Sequence, residues 1–189
     1  MKRILFMTIL LALFFLGGCA PGNDWHEKSA AQEDAEAQFN LGVMYGMLQD
    51  YSKARELWEE AAAQGNANAQ WGLSGMYDNG LGVQQDYAKA RKWYEKAAAQ
   101  GEAKAQANLG VMYDEGKGVR QDHAKARELW EKAAAQGNAP AQFNLGLMYA
   151  KGKGVLQNIR TAKEWFGKAC DNGEQQGCDN YRKLKEAGF

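Results

Sequence analysis

The chain has 189 residues, with 22 glycines and only two prolines, and its 23 basic residues balance 23 acidic ones. That length fits one domain of ordinary size, and so little proline in an alanine-rich chain favours helix over sheet. Zero net charge argues against nucleic-acid recognition, which draws on a basic patch or stripe.

At the N-terminus, Lys2 and Arg3 precede an apolar run from Ile4 to Leu16, followed by Gly17, Gly18 and Cys19. A charged start, a short apolar core and small residues at the cut make residues 1–18 an expected export signal. The run is shorter than the roughly 20 residues a membrane span needs. Leu16-Gly17-Gly18-Cys19 resembles the lipobox of bacterial lipoproteins. That resemblance implies that Cys19 is lipidated, becomes the new N-terminus and anchors the chain to a membrane. Ala20 after the cysteine is similar to the outer-membrane sorting pattern, which implies a lipoprotein facing the periplasm. The alternative is a plain secreted or periplasmic protein in which Cys19 is incidental, but ordinary cleavage after Ala20 would leave Pro21 just past the cut. Residues 19–34 read as a tether, in which Trp25 and His26 stand alone.

From residue 35 the chain repeats itself. The pair Ala-Gln recurs at 69–70, 105–106 and 141–142, with an earlier copy at 37–38. Four units follow, 35–66, 67–102, 103–138 and 139–174, and residues 175–189 begin a fifth. In each unit Leu41, Leu73, Leu109 or Leu145 is followed three and four residues later by a methionine and a tyrosine. This spacing puts all three on one helical face. A glycine follows the leucine at 42, 110 and 146, with Ser74 in the second unit; a missing side chain there suits close helix packing. The turns GLGV at 80–83 and GKGV at 116–119 and 152–155 supply the left-handed backbone of a helix end. The first unit lacks four residues in this turn. A second helix starts at Asp50, Asp86, Asp122 or Asn158, good N-caps, and stops at Gly65, Gly101, Gly137 or Gly173. Its buried face repeats small, aromatic, small, as in Ala54, Trp58 and Ala61.

Across about residues 35–182 these units resemble the Sel-one-like repeat (SLR) family, relatives of the tetratricopeptide repeat. The resemblance implies an all-α fold: a right-handed α-α superhelix of about four helix–turn–helix repeats plus a C-terminal capping helix, with the first helices lining the concave side. One helix pair cannot bury its apolar face alone, so neighbours must stack.

In the repeat register Cys170 stands where Ala62, Ala98 and Ala134 stand, and Cys178 where Gln38, Gln70, Gln106 and Gln142 stand. The two fall on antiparallel neighbours across a short turn, a geometry that suits a disulfide. The secreted cysteine-rich branch of the family has the same spacing, and an oxidising compartment would preserve the bond. No Cys-x-x-Cys is present to suggest redox chemistry.

The catalytic inventory is thin. His26 and His123 are not at ligand spacing, so no metal or other cofactor is expected. His123 aligns with Tyr51, Tyr87 and Ile159 and reads as a packing residue. The GKGV turns lack the phosphate-loop pattern. Some cysteine-rich relatives have been described as β-lactamases, yet none of Ser29, Ser52 and Ser74 begins the Ser-x-x-Lys that serine chemistry needs.

A non-enzymatic, monomeric scaffold or adaptor of the cell envelope is therefore expected, binding a protein or peptide; a β-lactamase-like hydrolase and a surface adhesin are the alternatives. If tetratricopeptide geometry carries over, the variable positions flanking each leucine face the partner: Phe39, Val43, Trp71, Val111, Phe143 and Leu147, with Gly75 and Ala107 between them. Phe39, Trp71 and Phe143 would then form an apolar strip, or else simply pack between first helices. Asp78, Asp114 and Glu115 are candidates for its rim.

Overall fold

The computed structural model describes residues 34–189; the expected export signal, most of the tether and Cys19 lie outside the described residues. The first repeat holds α1 (Ala35–Met47) and α2 (Tyr51–Ala63), the second α3 (Ala67–Asn79) and α4 (Tyr87–Ala99). The third holds α5 (Ala103–Glu115) and α6 (His123–Ala135), and the fourth α7 (Ala139–Lys151) and α8 (Ile159–Asp171). A last helix, α9 (Gln175–Glu186), packs on α8, and no strand occurs among the described residues. The all-α solenoid read from the sequence is the fold observed, and none of its helices is long and apolar enough to cross a membrane.

The helix ends follow from their caps. The carboxylates of Asp86 and Asp122 accept from the amides of Lys89 and Lys125, at 2.9 and 3.0 Å. Asn66, Asn138 and Asn158 do the same for α3, α7 and α8. Each such cap is worth about 1 kcal/mol. Gly80, Gly116 and Gly152 close α3, α5 and α7 in left-handed conformation. The shortened first turn has no glycine there, and Gln49 takes φ 62° instead. One bond is kept in all four turns: the carbonyl of Tyr45, Tyr77, Tyr113 or Tyr149 accepts from the N-cap amide of the next helix, at 2.8–2.9 Å.

Within a repeat the missing side chain does what the sequence implied. A Cβ on Gly42, Gly110 or Gly146 would lie 2.4–2.5 Å from the ring of Trp58, Trp130 or Phe166. The indoles of Trp58 and Trp130 use this close approach to donate to the carbonyls of Phe39 and Ala107, at 3.1 and 3.0 Å. In the second repeat the ring is Tyr94, and here Ser74 is tolerated.

Between repeats the alanine-rich faces close tightly: Ala61 and Ala62 of the first repeat cluster with Ala69 of the second, at 0–4% exposure. A polar ladder runs through this contact. Gln70, Gln106 and Gln142 are buried, and each donates back to the preceding repeat, to the carbonyls of Ala62, Ala98 and Ala134, at 3.1–3.3 Å. Their own carbonyls accept from Gln100, Gln136 and Asn172, at 2.9–3.0 Å. The amides are thus satisfied on both sides, as burial requires. At the last junction the same two positions hold Cys170 and Cys178, whose Cα atoms are 4.5 Å apart and whose sulfurs are bonded. The expected disulfide is present, and it stands where the ladder's next hydrogen bond would be.

Candidate binding groove

Each junction between consecutive full repeats leaves a depression on the first-helix side, and corresponding positions line all three. Their volumes differ: about 430 Å³ between repeats one and two, 280 Å³ between two and three, and 80 Å³ between three and four. Four sets of equivalent positions account for the order. Gly72 stands where Asn108 and Asn144 stand, Gly75 where Val111 and Leu147 stand, and Gly46 where Asp78 and Asp114 stand. Leu81 replaces Lys117 and Lys153 in the turn. Three absent side chains open the first junction, and the leucine in place of lysine removes its charge.

The opened groove is almost wholly apolar. Phe39, Val43 and Met47 of α1 form one wall, Trp71 and Met76 of α3 the other, and Tyr51 and Trp58 of α2 lie between. Gly72 sits 3.0 Å from the six-membered ring of Trp58, measured to a notional Cβ, so any larger residue would cover that ring. Trp58 accordingly stays half-buried, whereas Tyr94 and Trp130 at the equivalent position are 1% and 4% exposed. Phe39 stacks on Trp58 with centroids 6.3 Å apart. Trp71 carries the Lys104 ammonium 5.0 Å over its ring, a cation–π contact. Met47 and Leu48, on the shortened turn, are 80% and 73% exposed at the groove's end.

The other two junctions are plugged by polar contacts. In the third, Asp114 pairs with Lys153 at 2.6 Å and with His123 Nδ1 at 2.9 Å. His123 also packs beneath the turn, where Gly154 has no room for a side chain, so its reading as a packing residue holds and a hydrogen bond with Asp114 is added to it. In the second, the Asn108 amide donates to the Tyr94 hydroxyl at 3.1 Å, and that hydroxyl donates to Asp78 at 3.4 Å. Burial, with the Asp78 charge beside it, pushes the Tyr94 phenol up to about 12. Burial likewise holds the Asp78 carboxyl above the ordinary aspartate range, against the lowering effect of Tyr94 and Lys117.

The sequence-expected contact residues therefore divide. Phe39, Val43 and Trp71 come together in one groove, with Gly75 in its wall. Val111 and Leu147 lie in the second and third depressions. Phe143 packs on Phe166 with centroids 5.6 Å apart, and buried Ala107 separates it from Trp71, so the three aromatics form no continuous strip. Sequence reasoning missed Gly46, Gly72 and Leu81; the signal was present in their departure from the other copies. Among the described residues no three His, Cys, Asp or Glu side chains are grouped to hold a metal ion.

Comparison with known proteins gives a consistent result. The Sel1 repeat family model matches residues 35–66, 67–102, 103–138 and 139–174. The chain is similar to a protective antigen of uropathogenic Escherichia coli strains that displays an SLR fold, at 36% identity and TM-score 0.84 over 90% of this chain. It spans only 37% of that protein's length. A Sel1 repeat protein of Oxalobacter formigenes is similar at 32% identity and TM-score 0.82, over 88% of this chain and 69% of its own. Cysteine rich protein B of Helicobacter pylori matches 69% of this chain and 93% of its own at 25% identity, with TM-score 0.55. None of the curated proteins compared matches the chain.

Proposed function

The chain belongs to the Sel1 repeat family, whose repeats generally mediate protein–protein interaction, and from that premise we propose that it is a non-enzymatic binding module of the bacterial cell envelope, taking a peptide or protein segment in the groove between its first two repeats. The observation that carries this reading is the triple loss of side chains at Gly46, Gly72 and Gly75, which opens one junction of three. Exposed apolar surface is costly to keep, and a contiguous patch of it marks an interaction site. Aromatic walls offer large contact area, the usual source of hot-spot energy. The disulfide supports export, since such bonds persist in oxidising compartments. Lipidation of Cys19 and outer-membrane attachment belong to the same proposal, with support from the lipobox alone.

Gly75→Leu tests the groove. It copies the residue found at Leu147, and nothing lies within 4 Å of a Cβ built at this position, so the new side chain fills space rather than displacing a neighbour. Leaving glycine inside a helix costs about 1 kcal/mol, so the variant is expected to melt roughly 2–4 °C higher. Phage displaying random decapeptides are expected to enrich on the wild-type protein and not on this variant. Equal enrichment on both would remove the groove as the site.

A further inference from the structure

Asp78 is the last but one residue of α3 and lines the second depression, while its neighbour Asn79 lines both that depression and the apolar groove. Its equivalent, Asp114, is held by Lys153 and His123. Asp78 has neither form of support. The position of His123, which bonds Asp114 through Nδ1, is taken by Tyr87. The position of Lys153 is taken by Lys117, but Lys117 is paired with Glu115. Where the third repeat carries Glu115, the fourth carries Lys151, and there Lys153 reaches back to Asp114. The hydrogen bond that the Asp78 carboxylate accepts comes from the Tyr94 hydroxyl at 3.4 Å, and Lys117 acts on it through space.

Resting on the reading of the groove as a peptide site, we propose that its ligand is a segment in which a lysine or arginine flanks a bulky apolar residue, the apolar side chain entering between Phe39, Trp58 and Trp71 and the cation pairing with Asp78. A half-buried carboxylate with no direct ion pair carries a desolvation cost that an incoming cation offsets, and burial holds this carboxyl above its ordinary range even with the Lys117 charge in its neighbourhood. The groove itself contains no lysine, arginine, aspartate or glutamate, so the anchor must be uncharged while its neighbour is not. Charge complementarity of this kind fixes register and excludes acidic competitors.

The same decapeptide selection tests the idea. On the wild-type protein, enriched peptides are expected to carry an aromatic or branched aliphatic anchor with lysine or arginine within two positions. On Asp78→Asn the anchor persists and the basic preference disappears; on Asp78→Lys the preference turns acidic. Glu115→Lys provides an independent check, since it copies Lys151, frees Lys117 to pair with Asp78, and is expected to abolish the preference with the aspartate still in place. A synthetic peptide from the enriched set should lose about tenfold in affinity when its basic residue becomes norleucine, and show no such loss on Asp78→Asn. Circular dichroism melting should place both Asp78 variants at or above the wild type. Anchors enriched without a basic neighbour, or a basic preference that survives Asp78→Asn, overturn this inference and leave the peptide groove standing. No enrichment over Gly75→Leu overturns both. Self-association in sedimentation, lost in Gly75→Leu, would assign the groove to a second copy and overturn this inference.

Discussion

Replacing Gly110 by alanine is expected to cost about 3 kcal/mol and to lower the thermal midpoint by roughly 6–12 °C. The added Cβ would stand 2.4 Å from Nε1 of Trp130, well inside contact distance. The atom it meets is not a flexible chain end. Trp130 is 4% exposed and fixed at 3.0 Å to the Ala107 carbonyl, so the indole must move, the repeat must open and a buried hydrogen bond must break. Overpacking supplies about 1–3 kcal/mol and the lost bond about 1. The second repeat shows the compensating change, because there a serine faces a tyrosine. Gly110→Ser with Trp130→Tyr should therefore be less damaging than the sum of the two single changes. Chemical denaturation of the four proteins in a double-mutant cycle measures this. Strict additivity would show that the glycine and the ring are not coupled.

The second large effect concerns the cap. Changing Cys170 and Cys178 both to serine should cost about 2–3 kcal/mol on the chain-entropy estimate for so short a loop. Hydrogen exchange should show the loss concentrated in α9. Cys170→Ala with Cys178→Gln rebuilds the pair found at the other junctions, and it should recover about 1 kcal/mol of that loss through the amide-to-carbonyl bond. If the alanine–glutamine protein is no more stable than the double serine, the equivalence between disulfide and hydrogen bond does not hold in energy, whatever its geometry.

Both experiments rest on positions visible in the sequence, and the reason is repetition. Helix limits, caps and glycine stops occur four times each, so a chance residue at one copy is outvoted by the rest. The pairing of Cys170 with Cys178 followed from register for the same cause. The ladder glutamines were marked by periodicity, but their acceptors are backbone carbonyls eight residues earlier, and a carbonyl leaves no trace in a sequence. The groove was half legible. Phe39, Val43 and Trp71 were found because large apolar residues at variable positions attract notice. Its opening depends on side chains that are missing, and an absence at Gly46 or Gly72 is informative only when set against the aspartates and asparagines of the other copies. Phe143 met the same criterion as Phe39 but packs on Phe166 within the fourth repeat and lines none of the three depressions. Asp78 looked like a solvated rim charge; that it is half-buried depends on Tyr94 and on the neighbouring repeat, which local sequence does not report.

The ladder has a mechanical consequence. Its rungs join the repeats in series, and the series is locked at one end by a covalent bond between α8 and α9. Among the described residues nothing comparable locks α1. Stacked repeats lose structure from whichever end is least held, so the stack has a preferred direction of fraying, beginning at the first repeat. That is the repeat whose helices form one wall of the groove. A ligand bridging α1 and α3 would close the loose end of the spring, and its binding energy would appear as resistance to unzipping along the whole array.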